Sequence, residues 1–344
     1  MPQLVNHLVV SASIMLMFCA RPLECRETNE GLMLPYEFVQ APTAPPTHKL
    51  GAVTAVALLP SGNIIVLNRN PEIMMIEYNA RGEFIRAFNP NIAGNPHGLR
   101  VDRHGNIWVT DSFLNIVWKL NPHGDPLLMI GTRGAIGAWN TEAWNGKLNQ
   151  PVDVAFDQND NVYIVQGHGG SALPTPCDLC ANYSEKKLAV PAGSDPRIVK
   201  FDKFGKYQKS VSLSRSSGSY PTIHTVAVTK RGEVWVGDRQ SRTIIIFDSE
   251  LRRLREILVP ALVSGLFVDN TDHIWMATGH NGTVLKLNDL GEVLGRLGNV
   301  QPNQNNDLNF IGEAHYVVVT PDEKTIFVAD TANRKIHQLE RRAR

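Results

Sequence analysis

The sequence predicts an all-β fold, a six-bladed β-propeller, on three observations. Short apolar segments separated by Gly, Asn or Asp turns recur along most of the chain, which is typical of antiparallel strands. No long apolar stretch shows the 3.6-residue period of an amphipathic helix. The segments group into six similar units of about four short strands each, which is the pattern of propeller blades.

The clearest unit begins at Asn95 and ends at Asp111. An apolar strand, a Gly-Asn turn and a second apolar strand predict a β-hairpin that starts with His97. Similar phrases start at Ile223 and Ala314, again with a histidine as second residue. Repeated aspartates close the second strands and are expected to be turn residues of the blades: Asp111, Asp238 and Asp330.

Aligned units give one equivalent position at the start of each innermost strand. In chain order these positions hold Thr54, His97, Val152, His224, Ser264 and His315. Innermost strands line the central channel, so histidines in alternate blades lie about one third of a turn apart. Three neutral imidazoles with an open fourth position are typical of catalytic zinc. A single histidine there is more often a structural residue, so the alternation is what predicts a metal site.

The N-terminal region precedes the repeats. Its apolar run from Leu8 to Ala20 has the length of a signal-peptide core rather than of a membrane span. We expect residues 1–25 to be a signal peptide, cleaved between residues 20 and 25; a buried or anchoring N-terminal helix is the alternative. The mature protein would then be secreted, or lie in the lumen of the secretory pathway, without a membrane span.

Three further segments follow the signal peptide. A Pro-rich extension covers 26–50, and the propeller is expected over 51–344. An insertion at 171–195 interrupts the third unit and has the composition of a lid or partner-binding loop.

The insertion carries Cys177 and Cys180. This CxxC pair could be redox-active or half of a zinc site, but neither a thioredoxin-like context nor two further ligands is visible, which favours a small disulfide. Asn182 and Asn281 begin N-glycosylation sequons.

Composition narrows the classes of partner. The 344-residue chain is 43% hydrophobic and 19% charged, with a net charge of +1. It can therefore bury a core, and it lacks the basic surface that binds nucleic acid or an anionic membrane.

The units resemble NHL repeats. The phrases around His97, His224 and His315 resemble the peptidyl-α-hydroxyglycine α-amidating lyase family over about residues 51–340. In that family a six-bladed propeller holds zinc with three histidines and performs the second step of peptide amidation. The resemblance implies that these three histidines bind Zn²⁺.

The resemblance also implies a substrate. Arg69 and Arg239 match the two active-site arginines of the family. They are expected to orient a small peptide that ends in α-hydroxyglycine, including its carboxylate, which suits a planar guanidinium. A peptidylglycine monooxygenase would supply this substrate.

Two positions depart from the family pattern. His168 stands where the family has its proposed catalytic tyrosine; an imidazole accepts protons near neutral pH, so we assign His168 a catalytic role, with Tyr183 as the alternative. The family also binds calcium through backbone carbonyls that map to Val56 and Leu99, and through an aspartate. Tyr316 replaces that aspartate and cannot substitute for a carboxylate, which makes the Ca²⁺ site doubtful.

The predicted function is a zinc-dependent lyase that cleaves the N–Cα bond of peptidyl-α-hydroxyglycine to give an α-amidated peptide and glyoxylate. The alternative is a non-catalytic secreted propeller that binds a protein. A calcium-dependent lactonase ranks third, because it needs Glu, Asp and Asn side chains at the channel mouth, where Thr54, Val152 and Ser264 stand.

Overall fold

The structure is a computed structural model that describes residues 32–39, 41–43, 45, 47–88, 93–137, 144–168, 196–213, 221–298 and 310–343. These residues form six four-stranded sheets, which confirms the predicted six-bladed propeller. The described part of the chain contains no helix that is long and apolar enough to span a membrane. The predicted signal peptide and the insertion at 171–195 lie outside it.

The strands alternate with short turns along the chain. In order they are β1 (Tyr36–Val39), β2 (Val53–Leu58), β3 (Ile64–Asn68), β4 (Met75–Tyr78), β5 (Phe84–Phe88), β6 (Pro96–Val101), β7 (Ile107–Asp111), β8 (Ile116–Leu120), β9 (Pro126–Gly131), β10 (Pro151–Phe156), β11 (Val162–Gln166), β12 (Arg197–Phe201), β13 (Tyr207–Ser212), β14 (Ile223–Val228), β15 (Val234–Asp238), β16 (Thr243–Phe247), β17 (Arg253–Leu258), β18 (Gly265–Val268), β19 (Ile274–Ala277), β20 (Thr283–Leu287), β21 (Val293–Gly298), β22 (Ala314–Val319), β23 (Thr325–Asp330) and β24 (Lys335–Arg341).

Each of the first five blades is four consecutive antiparallel strands, starting with β2, β6, β10, β14 and β18. The first strand of each blade is innermost, and neighbouring innermost strands contact one another around the ring, including β22 with β2. The start of each innermost strand therefore faces the central channel, where the sequence places the three histidines.

The sixth blade joins the two ends of the propeller. Its sheet order is β1-β24-β23-β22, and β1 pairs antiparallel with β24 from Tyr36 opposite Arg341 to Val39 opposite Gln338. The segment that the sequence analysis treated as an extension thus supplies a strand. Backbone hydrogen bonds between β1 and β24 tie residues from both ends of the propeller into one sheet and cover the outer edge of β24.

Large side chains on the second strands fill the space between blades. The matching positions hold fully or almost fully buried aromatic residues in five blades: Trp108, Tyr163, Trp235, Trp275 and Phe327. Each tryptophan Nε1–H donates to a carboxylate, from Trp108 to Asp102, Trp235 to Glu233 and Trp275 to Asp269. The indoles are therefore buried without an unpaired donor.

Replacing Trp235 tests this packing. Trp235→Ala should lower the free energy of unfolding by about 3–5 kcal/mol, because a cavity forms between two blades. Urea denaturation followed by circular dichroism measures the change. The control is Leu254→Ala on β17, because Leu254 is 50% exposed. This substitution should change the free energy of unfolding by less than about 0.5 kcal/mol. Equal effects of the two substitutions would contradict the packing argument.

Candidate metal centre

The three sequence-predicted histidines converge at one mouth of the channel. The ring centroid of His97 lies 4.7 Å from that of His224 and 4.9 Å from that of His315. The centroids of His224 and His315 are 4.8 Å apart. All three residues are buried. The alternation of histidine along the sequence thus becomes a nearly equilateral triangle of imidazoles.

A break in strand register turns these side chains towards the channel. The pairing of β14 with β15 skips His224, and that of β22 with β23 skips His315. In β6 the pairing skips both His97 and Gly98. A bulged residue has no partner across the ladder, so its side chain can be aimed away from the regular pleat. A Cβ on Gly98 would lie 2.4 Å from the carbonyl oxygen of Val152, so the bulge in β6 requires glycine there.

Each imidazole is fixed by the backbone of the next blade. The Nδ1 atoms lie within hydrogen-bond distance of carbonyl oxygens, namely His97 to Val152 (2.9 Å), His224 to Ser264 (2.5 Å) and His315 to Thr54 (2.7 Å). These acceptors occupy the odd-blade positions that the sequence alignment made equivalent to the histidines. A carbonyl only accepts, so Nδ1 carries the proton and Nε2 keeps the lone pair.

The free nitrogens fit a metal ion. Nε2 of His97 and Nε2 of His224 are buried and have no hydrogen-bond partner among the described residues, a rare state for buried polar atoms. Burial lowers the pKa of all three imidazoles well below the usual range. They are therefore neutral, which is the form that ligates metals. A cluster of neutral imidazoles suits a borderline-soft divalent cation such as zinc.

His168 joins this cluster from the turn after β11. Its ring centroid lies 4.8 Å from that of His97 and 5.1 Å from that of His224. One ligand nitrogen from each of these three residues falls within 4.8 Å of the other two. Burial, with the positive charges of Arg239 and Arg69, lowers the pKa of His168 to about 4. The structure thus places a fourth neutral imidazole beside the predicted metal ligands.

The two sequence-predicted arginines follow the second strands of blades one and four. Arg239 donates from Nη2 to Oε1 of Glu313 at 2.7 Å, and the two side chains are 11% and 12% exposed. The Arg69 side chain makes a long 3.5 Å contact from Nε to the carbonyl of Pro96, and its backbone N–H donates to the carbonyl of Ala52. Within the described ranges Arg69 forms no ion pair; burial lowers its pKa, although the charges of Glu313 and Asp111 act in the opposite direction. Sequence reasoning missed Glu313, whose only signal is an acidic residue two positions before His315.

The repeated aspartates hold the loops that lead into the histidine strands. Asp111 accepts backbone N–H groups of residues 94 and 95, and Asp238 accepts that of Thr222. Asp330 accepts those of Gly312 and Glu313. The aspartates therefore fix the backbone immediately before each histidine, in keeping with an architectural role.

An ion pair lies deeper in the channel. The guanidinium of Arg100 forms two hydrogen bonds with the carboxylate of Asp153, at 2.9 and 2.6 Å. A third bond, of 2.9 Å, reaches the carbonyl of Leu266. Asp153 also accepts from the hydroxyl of Thr225 at 2.8 Å. Both carboxylate oxygens of Asp153, and Nε and Nη2 of Arg100, are thus hydrogen-bonded within the protein.

This ion pair bears on the calcium site that the resemblance implied. Tyr316 packs in the same buried cluster as Val56 and Leu99, and the guanidinium of Arg100 lies 5.0 Å from the centre of its ring. Burial raises the pKa of Tyr316 well above its usual range, so the residue offers no anionic oxygen. The carboxylate of Asp153 is already bound to Arg100. The residues at this position do not fit a calcium ion.

Four of the remaining predicted residues fall outside the described residues: Cys177, Cys180, Asn182 and Tyr183. Asn281 lies exposed in the turn between β19 and β20, where its side chain is accessible for modification.

The ion pair leads to a prediction about stability. Asp153→Asn should lower the free energy of unfolding by about 3–5 kcal/mol, because it leaves the guanidinium of Arg100 buried without its counter-charge. Thermal denaturation measures the loss. Asp322→Asn, which removes the partner of the exposed Lys324, is the control, with an effect below about 1 kcal/mol. Calcium chloride added to wild type in calcium-free buffer should leave the melting temperature unchanged; a marked rise would show a calcium site.

No protein-family model matches the chain. It is 25% identical over 241 residues to the peptidylglycine alpha-amidating monooxygenase of Rattus norvegicus, covering 60% of this chain and 22% of that protein. It is 23% identical over 224 residues to peptidyl-alpha-hydroxyglycine alpha-amidating lyase 2 of Drosophila melanogaster, covering 58% and 48%. NHL repeat-containing protein 3 of Mus musculus is 24% identical over 202 residues, covering 55% and 50%.

Solved structures show the same architecture. A streptogramin B lyase superposes with a TM-score of 0.58 at 15% identity, covering 89% of this chain and 97% of that chain. A gluconolactonase from Xanthomonas campestris superposes with a TM-score of 0.59 at 12% identity, covering 90% of this chain and 96% of that chain. At these identities the likeness shows the fold alone.

The matched region spans between about a fifth and a half of the length of the three curated relatives. Both groups that the sequence phrases resembled, the amidating lyases and the NHL-repeat proteins, are found among them. The comparisons therefore confirm the resemblance to the peptidyl-α-hydroxyglycine α-amidating lyases, at low identity.

Proposed function

We propose that the protein is a zinc-dependent lyase that cleaves the N–Cα bond of peptidyl-α-hydroxyglycine, releasing an α-amidated peptide and glyoxylate. The observation that carries the proposal is the convergence of His97, His224 and His315, whose Nδ1 atoms are all engaged by carbonyl oxygens. Two arginines lie beside this triangle, and an amidating lyase of Drosophila melanogaster is among the similar proteins.

The three histidines would hold the metal through Nε2. A bound zinc ion acts as a Lewis acid that lowers the pKa of a hydroxyl group in its open position. Hydrogen bonds from Nδ1–H to the backbone fix the rings before any ligand arrives, so little reorganisation accompanies binding.

The remaining chemistry is a proton transfer. The substrate O–H bond and the N–Cα bond break, a carbonyl forms on the glyoxylate fragment, and the amide nitrogen gains a proton. No oxidant or reductant is needed. His168 is neutral and lies beside the metal ligands, so it would accept the hydroxyl proton and return one to the nitrogen. Arginine would bind the carboxylate of the substrate.

The proposed setting is the secretory pathway. The apolar run from Leu8 to Ala20 and the exposed sequon asparagine Asn281 support it. A monooxygenase that hydroxylates the C-terminal glycine of peptides would have to supply the substrate, because the lyase acts on the hydroxylated product.

Removing one histidine tests the metal centre. His224→Ala should abolish bound zinc, measured by mass spectrometry of the purified protein. It should also lower kcat/KM for glyoxylate release to below about a hundredth of the wild-type value, because two ligands hold zinc poorly. His123→Ala, at an exposed histidine in the turn between β8 and β9, is the matched control. Undiminished zinc content and turnover in His224→Ala would contradict the assignment of His224 as a ligand of a catalytic zinc ion.

A second candidate function is a non-catalytic propeller that keeps a structural metal. The position of His168 favours it, because this ring lies about as close to His97 and His224 as those two lie to His315. Four nitrogen ligands would close a tetrahedral site, whereas catalytic zinc keeps one position open.

Substitution of His168 separates the two candidates. If His168 accepts a proton, His168→Ala should leave zinc affinity unchanged and lower kcat by roughly 10²–10⁴-fold. Affinity is measured by competition with a chromophoric chelator. His168→Tyr, which places the residue type of the resembled family at this position, should retain more activity than His168→Ala. Weaker zinc binding in His168→Ala, together with an inactive wild type, would establish the structural role.

A further inference from the structure

Two guanidinium groups lie beside the imidazole cluster, but their surroundings differ. Arg239 donates to the carboxylate of Glu313 at 2.7 Å, and both side chains are nearly buried. Among the residues that the structure describes, the Arg69 guanidinium forms no ion pair, and its side-chain hydrogen bond is the long contact to Pro96. Glu313 is therefore bonded directly to Arg239, whereas its charge, like that of Asp111, reaches Arg69 only at longer range.

Glu313 is held rigidly for this contact. Its backbone N–H donates to Asp330 at 3.0 Å, and its carbonyl accepts from the N–H of Thr331 at 3.3 Å. It directly precedes β22, which carries His315 two residues later. Its carboxylate is thus fixed to the same strand as a predicted metal ligand.

Arg239 is held from the opposite side. Its backbone N–H donates to the carbonyl of Thr222 at 2.8 Å. A Cβ on Gly279 would lie 3.4 Å from its Nη2, so the turn after β19 packs closely on the guanidinium. Its Nε is buried and has no hydrogen-bond partner in the part of the chain that the structure describes. Because Nη2 of Arg239 bonds to Glu313, the charge of the guanidinium is compensated. Other N–H groups of the guanidinium, including that of Nε, can still donate to a ligand.

We propose that Glu313 is a specificity-determining residue that neutralises and positions Arg239, so that Arg69 alone binds the terminal carboxylate of the substrate. Arg239 then donates to uncharged substrate oxygens. This division of roles between the two arginines rests on the proposed function, which identifies the substrate. It follows from the direct contact, because Glu313 bonds to Arg239, whereas Arg69 forms no ion pair within the described residues and can bond to a carboxylate of the substrate.

Binding of an unreactive probe tests the division. The zinc-loaded full-length protein is titrated by calorimetry with N-acetyl-phenylalanyl-glycine and with its C-terminal carboxamide. The ratio of the two dissociation constants measures carboxylate preference. Wild type should prefer the acid by about tenfold or more, the effect of one charge-assisted hydrogen-bonded pair. Arg69→Met should abolish the preference for the acid. Arg239→Met should weaken the binding of both probes but keep that preference.

Glu313→Gln gives the decisive readout. It preserves side-chain size but frees the charge of Arg239, so affinity for the acid should rise several-fold with little change for the carboxamide. The double variant Arg69→Met with Glu313→Gln should regain carboxylate preference through Arg239. Glu250→Gln, at a carboxylate whose side chain is 65% exposed, is the matched control and should change neither constant. Melting temperatures check that each variant is folded.

Two results would overturn the division: a preference lost in Arg239→Met but kept in Arg69→Met, or a Glu313→Gln variant that binds both probes as wild type does. A wild type that prefers neither probe would overturn it as well. Failure of the proposed function shows separately, as absence of glyoxylate release, since the probes are bound without being cleaved.

Discussion

The site depends on hydrogen bonds between blades. Each imidazole belongs to an even-numbered blade and donates from Nδ1 to a carbonyl of the following blade. The bond from His315 reaches Thr54 across the junction of the last and first blades. Closure of the ring by β1 therefore matters for the centre, because the geometry of the triangle requires blade six to stay against blade one. Bulges at these positions aim the rings into the channel.

Burial makes the charges of the channel costly unless they are paired. The deeper layer is compensated, since the guanidinium of Arg100 and the carboxylate of Asp153 satisfy each other. Around the imidazoles the pairing is incomplete, because Glu313 bonds directly to Arg239, whereas no described carboxylate forms an ion pair with Arg69, on which Glu313 and Asp111 act only at longer range. An unpaired, largely desolvated charge is expensive to keep. The asymmetry therefore points to an anionic group that completes the site from outside.

Repetition made much of this architecture predictable from the sequence. Six aligned units gave the number of blades, and histidine in alternate units gave the convergence of His97, His224 and His315, because rotational symmetry converts a sequence register into spatial proximity. Contacts that break the repeat could not be found this way. Glu313 aligns with Asn95 and Thr222, which are uncharged, so the pattern gives no reason to select it.

Long-range pairings could not be predicted from the sequence for a related reason. Arg100 and Asp153 are 53 residues apart and meet only because neighbouring innermost strands face the same channel. Strand β1 has four residues in a Pro-rich segment, too short for an alternating pattern to identify it. Neither contact has a local signature, since the partner that defines each lies in another unit of the chain.

The charged side chains around the histidine triangle, rather than the histidines themselves, distinguish an open catalytic metal centre from a closed structural one. A structural metal with four imidazole ligands would need no guanidinium nearby, and cationic side chains would disfavour a bound cation through repulsion. Arg69 and Arg239 nevertheless lie close enough to His168 to lower its pKa. Glu313 pairs with Arg239, but the positive charge of Arg69 beside a cation site is best explained by a ligand that brings negative charge to it. Arg69 thus favours the proposed lyase, acting on a carboxylate-bearing peptide, over the structural metal centre.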